Sequence, residues 1–170
     1  TSQSIENIQE IDHIENLKTV TLRTPNLKTI THLENSYQLE FLAISSNDHS
    51  LISSLGFPAS IKTLHLNTTI NDVNNLSHMT NLQDLELSNY IGQIDLDGIE
   101  NLINLESITI NADQMVNLVK LNQLTKLKKA SLYGDINNLS DLSNLTWLEE
   151  LKLGDSEIDL ADIAGMTNLK

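Results

Sequence analysis

The side chains that could perform chemistry are five histidines, 23 acidic residues and 10 lysines or arginines, and the chain has no cysteine. None of them lies in a motif that builds an enzyme site. The chain contains no G-x-x-x-x-G-K-[ST] phosphate loop, no H-E-x-x-H zinc motif and no G-x-S-x-G nucleophile motif. The absence of cysteine excludes disulfides and thiolate metal sites. We therefore predict a protein that is not an enzyme, with no catalytic residues, no metal and no cofactor.

The histidines and acidic residues do not have the spacing of a metal site. The histidines recur at no common position of the sequence repeat described below, so they are not expected to converge. The segment DLDG (95–98) is similar to the start of a calcium-binding loop but lacks the later acidic ligands. A solvated turn is the favoured interpretation of this segment.

The charge balance restricts the classes of partner. The net charge is −13, so phosphate backbones repel the chain, and we predict that it does not bind nucleic acid. No stretch approaches the roughly 20 apolar residues of a membrane-spanning helix, which predicts no membrane insertion.

A repeated sequence motif predicts which side chains face the core and which face solvent. The motif L-x-x-L-x-L recurs as LKTVTL (17–22), LEFLAI (39–44), IKTLHL (61–66), LQDLEL (82–87), LESITI (105–110), LKKASL (127–132) and LEELKL (148–153). Successive copies begin 22, 22, 21, 23, 22 and 21 residues apart, and an eighth begins at Leu169. Such repeats stack their apolar sides into one continuous core. We predict one repeat domain over residues 1–170, a fragment truncated at both ends.

The spacing of apolar residues within a repeat predicts two local structures. The last three motif positions alternate inward, outward and inward, which is typical of a short strand. Apolar residues then recur at every third position, as at Leu118, Leu121 and Leu124, which favours a 3₁₀ helix or a series of turns. Stacked repeats are therefore expected to form a parallel sheet on one face and tight helical returns on the other.

The repeats resemble those of the leucine-rich-repeat family, in particular the internalin-type repeat of about 22 residues found in bacterial surface proteins. That pattern reads L-x-x-L-x-L-x-x-N-x-I-x-x-I-x-x-L-x-x-L, and residues 105–126 follow it with Asp113 at the Asn position. The resemblance implies an α/β fold, a right-handed solenoid with a parallel β-sheet on the concave face and 3₁₀ or turn-like returns on the convex face. It also implies a non-enzymatic protein-binding or adhesion module, extracellular or at the bacterial cell surface.

Two other functions remain open at this point. Similar repeats occur in intracellular regulatory scaffolds of protein phosphatase one. They also form the recognition arms of bacterial effectors that carry a ubiquitin-ligase domain. Flanking sequence separates the three functions, because a wall anchor, the lack of an export signal or a catalytic domain would each indicate one of them.

Differences in repeat length predict local irregularities. The repeat that begins at Leu127 is short in its turn, so Ile136 is expected one residue early. The repeat that begins at Leu82 is long, and a small bulge is expected within residues 88–98. Asp113 can accept but cannot donate hydrogen bonds, so its turn is expected to be less regular than the family's.

Two further features have two interpretations each. Lys120, Lys126, Lys128 and Lys129 form a basic cluster that either binds an acidic partner or, as we favour, solvates a return loop. Trp147 occupies a position before a strand motif where other repeats carry Asn. It is either a partner contact or a lid over the neighbouring repeat.

The outward side chains of the stacked strands are the candidate binding surface, because the core does not use them. They form three columns across the strands, composed mostly of Thr, Ser and Asn, with few of the aromatic and arginine anchors typical of interfaces. A stacking scaffold without a binding role is therefore the alternative. The candidate binding residues, for a protein or other macromolecule, are Phe41, His65, Asp84, Glu86, Lys129, Tyr133 and Lys152.

Overall fold

The computed structural model describes residues 5–9, 11–48, 51, 55–88, 92–136, 138–154 and 159–170. One or two strands precede each short 3₁₀ helix along these ranges. The strands are β1 Asn7–Ile8, β2 Thr19–Arg23, β3 Thr29–Ile30, β4 Phe41–Ser45, β5 Thr63–Asn67, β6 Asp84–Ser88, β7 Gln93–Asp95, β8 Ser107–Val116, β9 Lys129–Ile136 and β10 Glu150–Leu153. The 3₁₀ helices are Ile11–His13, Leu33–Asn35, Asn74–Leu76, Ile99–Asn101, Leu118–Gln123, Leu139–Leu142 and Leu160–Ile163.

The main sheet is parallel and follows the repeats in chain order. Strands β2, β4, β5, β6, β8, β9 and β10 lie side by side, and β7 pairs with the far end of β8. Equivalent motif positions are opposite one another, as where Leu85 of β6 pairs with Ile108 of β8. The sheet does not close into a barrel. The predicted solenoid, with one strand from each motif and equivalent positions aligned, is confirmed.

Side-chain burial alternates along each strand as the motif predicts. Leu64, Leu85 and Ile108 are fully buried, whereas the outward residues beside them are partly exposed. Burying a leucine or isoleucine side chain contributes roughly 1.5–3 kcal/mol. Because a single repeat has no second apolar layer, this burial requires the neighbouring repeats.

The returns on the opposite side of the core are 3₁₀ helices, as the three-residue spacing predicts. Leu118, Leu121 and Leu124 are 2%, 0% and 0% exposed, so the residues at this spacing share the inward side. The helices Ile99–Asn101 and Leu118–Gln123 pack against each other, as do later successive returns. No helix in the described ranges has the length and apolar content to cross a membrane.

A β-bulge accommodates the short repeat that begins at Leu127. Asn111 lies opposite Tyr133, but Gln114 lies opposite Asp135, so β8 advances by three residues where β9 advances by two. Ile136 therefore pairs with Met115 although it lies one residue closer to the start of its repeat than Met115 does. The early arrival of this residue is confirmed, and the extra residue is taken up in the neighbouring strand.

At the bulge the backbones of β8 and β9 approach so closely that position 134 has room only for a glycine. Gly134 has a φ of +138°, and a Cβ there would lie 1.7 Å from the Ala112 carbonyl oxygen. In the same region the Gly92 N–H donates to Asp113 Oδ2 at 2.8 Å, so this carboxylate accepts a bond from the preceding repeat. The bulge expected within residues 88–98 falls partly on residues 89–91, which lie outside the described ranges.

Candidate binding face

The outward side chains of the main sheet form one continuous surface, here called the strand face. The parallel register aligns them into columns, since Phe41 pairs with Thr63, Thr63 with Asp84 and so on to Glu150. All seven candidate binding residues lie on this face. They form two groups, which β8 separates.

The first group consists of Phe41, His65, Asp84 and Glu86, on β4, β5 and β6. The Phe41 and His65 rings meet edge to face, with centroids 5.4 Å apart and an interplanar angle of 73°. His65 Nε2 lies 3.7 Å from Asp84 Oδ1, and His65 Nδ1 lies 3.7 Å from Glu86 Oε2. The imidazole is thus flanked by an aromatic ring on one strand and by two carboxylates on the next.

The second group lies on β9 and β10 and is a lysine-rich ion-pair cluster. Lys152 Nζ lies 2.6 Å from Glu150 Oε1, and Lys129 Nζ lies 3.9 Å from Glu150 Oε2. The hydrogen bond from Lys152 holds the pKa of Glu150 below its usual value, and Lys129 acts in the same direction. The same bond raises the pKa of Lys152. Tyr133, which is 37% exposed, lies beside this cluster on β9, four residues after Lys129.

The two groups are well separated on the face. Phe41 and Tyr133 lie four strand positions apart, or about 19 Å across the strands, and Tyr133 is a further four residues along the strand direction. An open depression of about 430 Å³ lies on the same face, and its lining residues include Arg23, Ala43, Ser45, His65 and Glu86. The sequence analysis placed these residues on the outward face but did not predict a depression. The feature that could have predicted it is the pair of small residues, Ala43 and Ser45, on one strand.

The described residues contain no cluster of three or more histidine and acidic side chains that could hold a metal ion. Comparison of the sequence with protein-family models and with curated proteins gives no match. Solved structures do match. An internalin (InlF) from Listeria monocytogenes has 29% identity and a TM-score of 0.68 over 96% of this chain, and internalin C2 from the same species has 27% identity and a TM-score of 0.65 over 91%. A leucine-rich-repeat protein from Leptospira interrogans has 19% identity and a TM-score of 0.74 over 94%.

The chain has an internalin-like leucine-rich-repeat fold. It spans 50% of the length of the InlF chain, 75% of the internalin C2 chain and 43% of the Leptospira chain.

Trp147 replaces an asparagine in a row of side-chain hydrogen bonds that joins neighbouring repeats. Asparagines at the same repeat position donate to a carbonyl of the preceding repeat: Asn81 to Ala59, Asn104 to Thr80 and Asn168 to Thr146. Trp147 Nε1 does the same to the Leu124 carbonyl at 3.0 Å, and its ring packs against the core. Of the two interpretations of Trp147, the structure matches the lid.

The basic cluster of the sequence does not form one patch in the repeat array. Lys120 Nζ lies 2.7 Å from Asp97 Oδ1 and 2.9 Å from Glu100 Oε1, on the returns. Lys128 instead pairs with Glu106 at 2.9 Å, beside the sheet. Lys120 lies in a return helix, whereas Lys129 lies on β9 and Lys126 donates to Asn104, so the four lysines neither form one patch nor solvate a single return loop.

The sequence interpretation missed a charge ladder at one end of the strands. The residue after the first apolar position of each motif is, in order, Lys18, Glu40, Lys62, Gln83, Glu106, Lys128, Glu149 and Lys170. Glu40 pairs with Lys62 at 3.0 Å, and this contact holds the pKa of the Glu40 carboxyl below its usual value. The ladder could have been predicted from the sequence, because positive and negative residues largely alternate at this one repeat position. Opposite charges on adjacent strands favour the observed register over a shifted one.

Proposed function

We propose that this protein is a non-enzymatic adhesion module that binds a protein partner through the strand face at a bacterial cell surface. The observation that carries the proposal is the strand face itself, an open, in-register surface whose outward side chains the core does not use. Concave faces of solenoids are extended binding surfaces. The likeness to the two Listeria internalins supports a protein-binding module and favours an extracellular location.

Phe41 and Tyr133 are the proposed anchors of the partner. Aromatic side chains bury a large area with little loss of conformational freedom, so they are common at the centres of interfaces. A partner that contacts both anchors must span about 19 Å across the strands and about 13 Å along them, which is within the size of an ordinary protein interface. The charged residues between and beside the anchors would then fix its orientation.

Removing both anchors tests this proposal. We expect Phe41→Ala with Tyr133→Ala to weaken binding by at least about tenfold, because each lost aromatic contact at an interface can cost more than 1 kcal/mol. Binders selected from a displayed library of protein domains would be measured by biolayer interferometry, with circular dichroism melts to check folding.

Tyr37→Ala is the matched control, because Tyr37 is also an aromatic residue and is 76% exposed, but lies outside the strands. Binding that survives the double variant and is lost in Tyr37→Ala would show that the partner uses another surface.

A further inference from the structure

The acidic residues along the main sheet differ in how they are neutralised. Glu40, Glu106 and Glu150 each have a lysine within 3.0 Å, namely Lys62, Lys128 and Lys152. Asp84 and Glu86 have no such partner among the described residues. Among the described residues, the basic side chain close to them is the imidazole of His65, with a ring nitrogen 3.7 Å from each carboxylate.

The cations around these two carboxylates are either paired elsewhere or distant. Lys62 directly precedes β5, where its carbonyl accepts from the Asp84 N–H, but its Nζ pairs with Glu40 at 3.0 Å. On the strand face, Lys129 lies two strand positions from Asp84, or about 10 Å, and Lys152 lies three positions from Glu86, or about 14 Å. Both separations are comparable with or larger than the Debye length at physiological ionic strength, so screening by salt weakens their effect. Two adjacent carboxylates therefore leave the middle of the strand face with a local excess of negative charge.

We infer that Phe41, His65, Asp84 and Glu86 form a subsite for a cationic side chain, arginine or lysine, of the protein partner. This inference rests on the proposed function and names the partner's chemistry. A planar guanidinium offers five N–H donors to the two carboxylates. The Phe41 ring provides an apolar surface for the methylene stem and a π-face for the charge. The depression over Ala43 and Ser45 gives the incoming side chain room beside Glu86.

The charges on β9 and β10 would determine the orientation in which a partner binds the subsite. Lys129 and Lys152 carry two positive charges against the single negative charge of Glu150, whereas Asp84 and Glu86 carry two negative charges. A cationic side chain is therefore attracted to the carboxylates of β6, in the middle of the face, and repelled from the β9–β10 end. A partner bound in one orientation would place its cation beside Glu86 and its acidic or neutral part beside Lys152.

Nuclear magnetic resonance titration of the chain tests the subsite with two small probes. N-acetyl-arginine methylamide carries the charge, and N-acetyl-citrulline methylamide has nearly the same shape without it. We expect the arginine probe to cause saturable shifts of the backbone amide signals of β5 and β6, and the citrulline probe to bind about tenfold more weakly.

Asp84→Asn with Glu86→Gln should abolish the shifts caused by the arginine probe, because both substitutions keep side-chain size and remove the charge. Glu150→Gln is the matched control and should keep them, since its carboxylate is already held by Lys152. Equal binding of the two probes, no shift in β5 and β6, or unchanged shifts in the double variant would overturn the inference.

The outcomes separate this inference from the proposed function. If the arginine probe fails but Phe41→Ala with Tyr133→Ala still weakens the selected binders, the strand face remains the binding surface and the cation preference is wrong. If the probe binds at Asp84 and Glu86 but the selected binders ignore the strand face, the subsite exists and the proposed function is wrong.

Discussion

At the scale of single residues, adjacent positions of one strand differ in burial, because one faces the core and the next faces solvent. Leu85 is fully buried in the middle of the sheet, whereas the side chain of Glu86 is 44% exposed. The difference follows from the two-residue period of a strand, which turns successive side chains to opposite faces. A substitution at one of these positions therefore tests the core, and a substitution at the next tests the surface.

We expect Leu85→Asp to give unfolded or insoluble protein. A carboxylate at this position has no polar partner in the apolar core, and burying it costs more than the few kcal/mol of a simple cavity. Glu86→Ala should fold with a melt close to the original, because exposed substitutions usually change stability by less than about 0.5 kcal/mol. Circular dichroism melts measure both variants, and equal melts would contradict the strand register.

At the scale of elements, an ion pair joins the returns of neighbouring repeats. Glu100, in the helix Ile99–Asn101, accepts from the Gly98 N–H at 2.9 Å and from Lys120 Nζ at 2.9 Å. Lys120 belongs to the next return, Leu118–Gln123. The hydrogen bond from Lys120 is the main cause that holds the pKa of Glu100 below its usual value, against the opposing effect of burial.

This lowered pKa predicts a pH dependence of stability. A carboxyl whose folded pKa lies below its unfolded value stabilises the fold above the unfolded pKa, and that contribution is lost as pH falls through the folded pKa. The wild-type protein should therefore melt higher than Glu100→Gln at pH 7, and the difference should shrink below the ordinary carboxyl value of 4.5. Thermal melts of both proteins between pH 7 and about pH 3 measure it. A difference that stays constant over this range would exclude the ion pair as its source.

The elements also show where prediction from sequence ends. The strands, their register and the position of His65 beside Glu86 could be predicted, because each follows from a period of two within a repeat of fixed length. The bulge beside Gly134 and the indole bond of Trp147 could not. Both depend on how one turn meets the backbone of its neighbour, and no period in the sequence encodes that contact. The depression lined by Ala43 and Ser45 was missed for another reason, because the two small outward residues on one strand were not interpreted.

At the scale of the whole molecule, each repeat is stabilised mainly by the repeats beside it. Strand β6 pairs with β5 on one side and β8 on the other, whereas β10 pairs only with β9 among the described strands. The charge ladder, and the bonds from Asn81, Asn104, Trp147 and Asn168 to carbonyls of the preceding repeat, also join several neighbouring repeats. Stability in such an array is approximately a sum of repeat terms and nearest-neighbour interface terms.

Hydrogen exchange should therefore vary along the isolated chain in a graded way. We expect the amides of β6 and of residues 107–111 of β8 to exchange at least about tenfold more slowly than those of β10, because opening an inner strand breaks two interfaces and opening β10 breaks one. Mass spectrometry of exchanged peptides measures the gradient, with the monomeric state checked by light scattering. Leu148→Ala, a cavity next to β10, should speed exchange in β10 much more than in β6. If β6 and β10 were equally protected in a monomer, or Leu148→Ala sped exchange uniformly, the array would open as one cooperative unit, not repeat by repeat.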